Sequence, residues 1–250
     1  MCAHTAAVAQ QGKGEKPEVH GLRKGLWLLR KGHYRPLLRR LRLRAWSDTV
    51  SLGLDYDPRG QPALRTPRIP VDVRPIRPPE ILAFIELPPT GAPRTEALTR
   101  TNARHLLESG LQTCYVGLID DEPVYMQFLI TANQNERLSK LFDARFPPLA
   151  DDEALLEFAF TLPEHRARHV MPTVLLRLIE LAAEQGARRV IAYPSVENAR
   201  FIRFFLRLGF APFCVRTEKW RLLVRRIEFQ PVDSDLVERV SRREELGAVT

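Results

Sequence analysis

Between Ala154 and Gln185 the chain passes from a strongly apolar run, Ala154–Leu162, interrupted only by Glu157 and Thr161, through the turn Pro163–His169 and straight into a helical pattern that ends before Gly186. No other stretch constrains the fold as much. The run predicts a strongly apolar strand, and the periodicity predicts a helix over about His169–Gln185. The free amides and positive dipole end of that helix then lie just past a strand end, beside Arg166 and Arg168. Such a place suits a pyrophosphate.

The rest of the chain frames this unit. Strands are expected at Val71–Ile76, Thr113–Ile119, Val124–Thr131, Arg189–Tyr193, Phe210–Arg216 and Trp220–Phe229. The second and third form a hairpin around Asp120–Pro123. Helices are expected at Pro79–Leu87, Thr95–Ser109 and Glu197–Leu208, the last two stopped by Gly110 and Gly209. Residues 132–150 read as a loop with some local helix. Upstream, Val50, Leu52, Leu54 and Tyr56 alternate with Thr49, Ser51, Gly53 and Asp55, the period of a half-buried strand. The organisation is a disordered start (1–20), a basic helical extension with one strand and a Pro/Arg-rich linker (21–70), a domain over 71–230, and a charged tail (231–250). The fold class is α/β in the α+β sense: a mixed, mostly antiparallel central sheet flanked by helices.

Charge is segregated. The 250 residues carry a formal net charge of +8. Nine cations between His20 and Ser47 (Arg23, Lys24, Arg30, Lys31, Arg35, Arg39, Arg40, Arg42, Arg44), with no acid among them, account for the whole surplus. The remaining chain is close to neutral, so its charge gives no reason to expect a polyanionic acceptor. The basic segment, with Leu26, Trp27 and Leu29 interleaved, has three readings: a helix packing on the domain, a peripheral contact with anionic lipid through residues 21–46, or phosphate contacts to nucleic acid. No base-reading module is present, and no specific nucleic acid is expected.

Other classes are excluded. No apolar run of about 18 residues occurs, so a membrane-spanning helix is not expected. Met1–Gly14 lacks the apolar core of a signal peptide. Cys2, Cys114 and Cys214 are too few and too far apart for a disulfide framework or a metal site, which fits a reducing cytoplasm. No P-loop, nucleophile elbow or metal-ligand cluster appears, and no metal is expected.

At Arg166-Ala167-Arg168-His169-Val170-Met171 and at Asn198-Ala199-Arg200-Phe201-Ile202-Arg203-Phe204-Phe205-Leu206-Arg207-Leu208-Gly209-Phe210, the sequence resembles the GCN5-related N-acetyltransferase (GNAT) family. Val73-Arg74-Pro75-Ile76-Arg77 is similar to the first strand of many members. The likeness spans roughly Val71–Phe229. It implies acetyl-CoA as donor and an amine, of a small molecule or a protein, as acceptor by direct attack. Phe160, Thr161 and Leu162 would offer backbone hydrogen bonds to the pantetheine; Arg166, Ala167, Arg168, His169, Val170 and Met171 would cradle the diphosphate; Asn198, Phe201 and Phe205 would flank the cofactor arm. Two departures stand out. The family's loop glycines are replaced by Ala167, His169 and Met171, and Phe205 stands where many members have a proton-donating Tyr.

Glu157 is the candidate general base. By alternation it shares a face with Leu155, Ala159 and Thr161, and a carboxyl in an apolar strand is expected to have a raised pKa. The competing reading is an edge carboxylate paired with an Arg. Asn198 equally suits a cap for its own helix, with Ser195. A second class stays open: a GNAT-like module that binds an acyl-CoA without catalysis, or one that acts on surfaces through its basic arm.

Overall fold

The structure, a computed structural model, describes residues 45–60, 69–86, 94–111 and 113–232, with Asp235 and Val237. The expected disordered start, most of the basic helical extension, the linker residues 61–68 and most of the tail lie outside the described residues. The chain forms two compact units, Met1–Asp48 with Lys219–Arg226 and Thr49–Glu218 with Ile227–Thr250.

Eight strands form one sheet: β1 (Trp46–Tyr56), β2 (Asp72–Pro75), β3 (Cys114–Ile119), β4 (Glu122–Thr131), β5 (Glu153–Thr161), β6 (Arg189–Ala192), β7 (Ala211–Arg221) and β8 (Val224–Gln230). Their order across the sheet is β2-β3-β4-β5-β6-β1-β7-β8. The pairs β2/β3, β3/β4, β4/β5 and β1/β6 are antiparallel, and β5/β6 is parallel. Five helices accompany them: α1 (Pro78–Ile85), α2 (Arg94–Glu108), α3 (Asn135–Phe142), α4 (Val170–Glu184) and α5 (Ala199–Leu208). The mixed, mostly antiparallel sheet flanked by helices is the expected class.

Each face of the sheet carries its own core. One buries Leu52, Leu54, Tyr125, Leu129 and Leu156 under Val174, Leu178 and Ile179 of α4 and Ile202, Phe205 and Leu208 of α5. The other buries Met126, Phe128, Ile130, Leu155 and Phe160 under Phe84 of α1, Ala103 and Leu106 of α2 and Leu138 of α3. Alternation along β4 and β5 feeds both, which is why these strands read as continuous apolar runs.

Local chemistry explains most boundaries. Pro78 and Pro79 open α1, and the Glu80 carboxylate accepts from the Arg77 amide at 2.7 Å, closing a capping box. Gly209 takes φ +103° after α5, where its amide and that of Phe210 turn back onto Leu206 and Phe205.

Three expectations are corrected. The strand assigned to the extension is not outside the domain: β1 lies within the sheet, between β6 and β7. Nor is it half-buried, since Ser51, Leu52, Gly53 and Leu54 are all buried. A neighbour on each side and a core on each face account for both facts. Finally, the strand expected from Trp220 begins at Val224. The turn falls at Leu222 and Leu223, with φ of +49° and +68°, positions where no turn-forming residue announced it.

Candidate active site

β5 and β6 pair in parallel from Glu153↔Arg189 to Leu156↔Ala192, and the ladder stops there. Beyond Ala192 the chain follows β1 instead. The Leu52 amide donates to the Pro194 carbonyl at 2.9 Å, Ser51 bridges Ser195, and the Val196 amide donates to Val50 at 3.0 Å. The far half of β5 stays with β4, through Met126↔Phe160, Tyr125↔Thr161 and the Leu162 amide on the Val124 carbonyl. Two parallel strands thus part company, and the groove between them is available to a ligand backbone.

A cavity of about 350 Å³ is lined by Ala159, Phe160 and Thr161 of β5 on one side and by Asn198 and Phe201 on the other. Arg166, Met171 of α4 and Thr99 of α2 complete the lining. The structure therefore brings together Phe160, Thr161, Arg166, Met171, Asn198 and Phe201. Ala159 and Thr99 were missed by sequence reasoning. Nothing in an alanine or in the polar helix around Thr99 signals a cavity.

The remaining candidates sit elsewhere. Ala167, Arg168 and His169 lie in the exposed turn. Leu162, Val170 and Phe205 are core residues, 6%, 1% and 1% exposed. Phe205 packs edge-on against Phe201 and Phe210, with ring centroids 4.8 and 4.6 Å apart. Asn198 accepts from the Phe201 amide at 3.2 Å and so caps α5 while also facing the cavity. Ser195 accepts from Glu197 rather than sharing that cap.

The turn before α4 holds a backbone that the residue types did not announce. Ala167 and His169 both have φ of +59°. These are two of the three positions where the resemblance calls for glycine. The left-handed conformation is kept there by L-residues, at about 1–2 kcal/mol each. The amides of Val170 and Met171, at the first turn of α4, lack helical carbonyl partners and carry the positive end of the helix dipole. The Arg166 Nε donates back to the Thr161 carbonyl at 3.3 Å, tying the turn to the strand end.

β5 is also interrupted. Phe128 pairs with Glu157 and Met126 with Phe160, so Phe158 and Ala159 together oppose the single residue Gln127. This is a β-bulge, with Phe158 at φ +51°. The extra residue shifts the alternation by one. Glu157 therefore shares a face with Leu155 and Phe160, and Thr161 points to the other. The expected common face of Glu157, Ala159 and Thr161 is corrected for that reason.

Glu157 does not line the cavity; the bulged Phe158 separates it from Ala159. Its carboxylate is only partly open to solvent and tightly surrounded by protein. Burial pushes its pKa up, opposed by Arg216 and Arg145 and by a hydrogen bond from the Phe158 amide. Arg216 is 7% exposed, with its guanidinium carbon 4.9 Å from the Phe146 ring centre and 5.0 Å from that of Tyr193. It donates to Ser51 Oγ at 3.0 Å, and burial lowers its pKa. Arg145 pairs with Glu218 at 2.9 Å. The carboxyl thus faces two cations without a direct hydrogen bond to either among the described contacts. Arg216, ending the otherwise apolar run Phe213–Val215, was the available sequence signal for this cluster. Among the described residues no group of acids, histidines and cysteines could hold a metal.

The parallel pair thus splits beside a helix start, and the lined cavity lies in that split. The sequence model described as the acetyltransferase (GNAT) family matches residues 85–210. The chain belongs to this family of acetyltransferases. No protein of curated function matches it in sequence. Solved structures with a similar arrangement include a Drosophila protein (14% identity, 83% of this chain and 58% of that one, TM-score 0.45). A second is an acetyltransferase of the GNAT family from Colwellia psychrerythraea (15%, 88% and 76%, 0.46). A third is AAC(6')-Iy in complex with the bisubstrate analogue CoA-S-monomethyl-acetylneamine (17%, 57% and 92%, 0.38). The chain spans 58% of the length of the Drosophila protein. No described helix is long and apolar enough to cross a membrane.

Proposed function

We propose that this chain transfers the acetyl group of acetyl-CoA to an amine by direct attack. The observation that carries this reading is the cavity in the split between β5 and β6, bounded by a free strand edge, Arg166 and the start of α4. Strand residues Ala159–Thr161 would bind the pantetheine amides as a missing neighbour strand would. Arg166 and Arg168, with the amides at the start of α4, would receive the diphosphate.

In this scheme the amine nitrogen attacks the thioester carbonyl while backbone dipoles at the bulge meet the developing negative oxygen. The C–N bond forms, the C–S bond breaks, and the ammonium proton passes to Glu157 through water that spans the interval to the cavity. Phe205 has no proton to give, so the departing thiolate takes one from solvent. The acceptor is an amine, of a small molecule or a protein.

Titration calorimetry with acetyl-CoA tests the donor site, and thiol release with a panel of primary amines tests transfer. Binding with turnover is expected. Absence of binding sinks the donor assignment. Binding without turnover on any amine favours the second reading, an acyl-CoA-binding module, which the glycine-free turn and the buried Phe205 favour.

A further inference from the structure

The β7–β8 hairpin ends in a tip unlike any other surface of the described molecule. Residues Lys219–Arg226 read Lys-Trp-Arg-Leu-Leu-Val-Arg-Arg, with four cations and no acid. Leu222, Leu223 and Val224 are 83%, 59% and 59% exposed, and Trp46 beside them is 71% exposed. These are four of the six large hydrophobic residues most open to solvent among those described, gathered in one unit. The Arg221 guanidinium carbon stacks 3.9 Å from the Trp46 ring centre, and its Nη1 pairs with Asp48 at 2.6 Å, which fixes the indole at the base of the tip.

Two features set the apolar tip apart. Leu222 and Leu223 occupy left-handed backbone positions, φ +49° and +68°, where a two-residue turn favours Asn-Gly. Leucine is therefore the strained choice, and both leucines stay mostly exposed, 83% and 59%. The Leu222 amide also donates to the Ala45 carbonyl at 2.9 Å.

We infer that the β7–β8 tip, Leu222–Val224 with Trp46, inserts into the interface of an anionic lipid surface, with Lys219, Arg225 and Arg226 meeting the headgroups. Charge complementarity selects the occupant: apolar side chains project at the end while cations flank them, the arrangement that lipid interfaces bind. A nucleic acid would need the cations and not the projecting leucines. The inference is independent of the acetyltransferase reading.

Flotation of the full chain with vesicles of phosphatidylcholine alone, and with phosphatidylglycerol added, tests it. The wild type is expected to float with the mixed vesicles only, less so at high salt. The double variant Leu222→Asn/Leu223→Gly is expected to lose about tenfold in partitioning, because two apolar anchors are gone. Asn-Gly suits the turn, so the variant's thermal midpoint should equal or exceed that of the wild type, which removes misfolding as an explanation. Failure of the wild type to float with anionic vesicles overturns the proposal, as does equal flotation on neutral ones. A variant that floats as well as the wild type means that the cations act alone, and equally overturns it. So does loss of flotation upon adding a single-stranded RNA oligonucleotide at low concentration, which would make the tip a nucleic-acid surface.

Discussion

Ala167 and His169 hold the turn before α4 in a conformation that glycine adopts freely and L-residues resist. Replacing both by glycine should relieve about 1 kcal/mol at each position, partly offset by the greater freedom of the unfolded chain. It also clears two side chains from the approach to the proposed diphosphate site. The expected outcome is a higher thermal midpoint together with tighter acetyl-CoA binding by calorimetry; weaker binding would mean that His169 itself contacts the ligand. At Glu157 the raised pKa sets two signs. A base must be ionised, so kcat/KM should fall as pH drops through that raised value, and Glu157→Gln should lower kcat by about 10²–10⁴-fold. Arg216 holds the carboxyl down, hence Arg216→Met should move the acid limb of the profile to higher pH. Ionising Glu157 in the folded state also works against stability, an effect absent below the ordinary carboxyl pKa and complete above the raised one. Glu157→Gln should accordingly melt above the wild type at neutral pH, with the difference closing in acid. Composition pointed to Glu157 because a carboxylate in an apolar strand is conspicuous. It gave no sign of the bulge at Phe158, since neither glycine nor proline marks it and the shift arises from pairing with β4. For the same reason the positive φ angles at Ala167 and His169 were unreadable, since neither residue type favours the left-handed region.

At the level of elements, the split that makes the site depends on β1. It takes up the Pro194–Val196 segment that would otherwise continue alongside β5. Gly53 lets it fit: a Cβ there would lie 2.5 Å from Cys214 Sγ and 3.0 Å from the Tyr193 ring. Gly53→Ala should therefore destabilise by about 2 kcal/mol, lowering the midpoint by about 4–8 °C. Because Tyr193 precedes the segment that β1 holds, acetyl-CoA affinity should fall in parallel. A melt unchanged from the wild type would show that β7 can yield, and would weaken the role given to β1. The existence of this strand was legible in the alternation of Val50, Leu52, Leu54 and Tyr56. Its neighbours were not. Period-2 patterning says which residues share a face and nothing about which strand lies alongside, so an upstream strand followed by a proline-rich stretch read as an appendage. The helices were easier, because their glycine stops and amphipathic faces are local signals. α5 shows this best, with Ile202, Phe205 and Leu208 buried while Arg200 and Arg207 remain exposed.

For the whole molecule, the charge is concentrated in one place. Residues 1–44 hold eleven cations against Glu15 and Glu18, a net +9, which leaves the rest of the chain at −1 beneath the overall +8. The residues lining the cavity all fall between Thr99 and Phe201. At physiological salt a charge is screened beyond about 8 Å, so cations upstream help a bound diphosphate only where they come that close to it. Removing residues 1–44 should then abolish retention on a cation exchanger at pH 7. It should leave the dissociation constant for acetyl-CoA within about twofold of the full chain at that ionic strength, whereas Arg166→Ala should weaken binding about tenfold through loss of one charged hydrogen-bonding group. A large loss of affinity on shortening, with the melting transition intact, would place part of the donor site in the basic segment and move the anion-binding role away from the turn before α4.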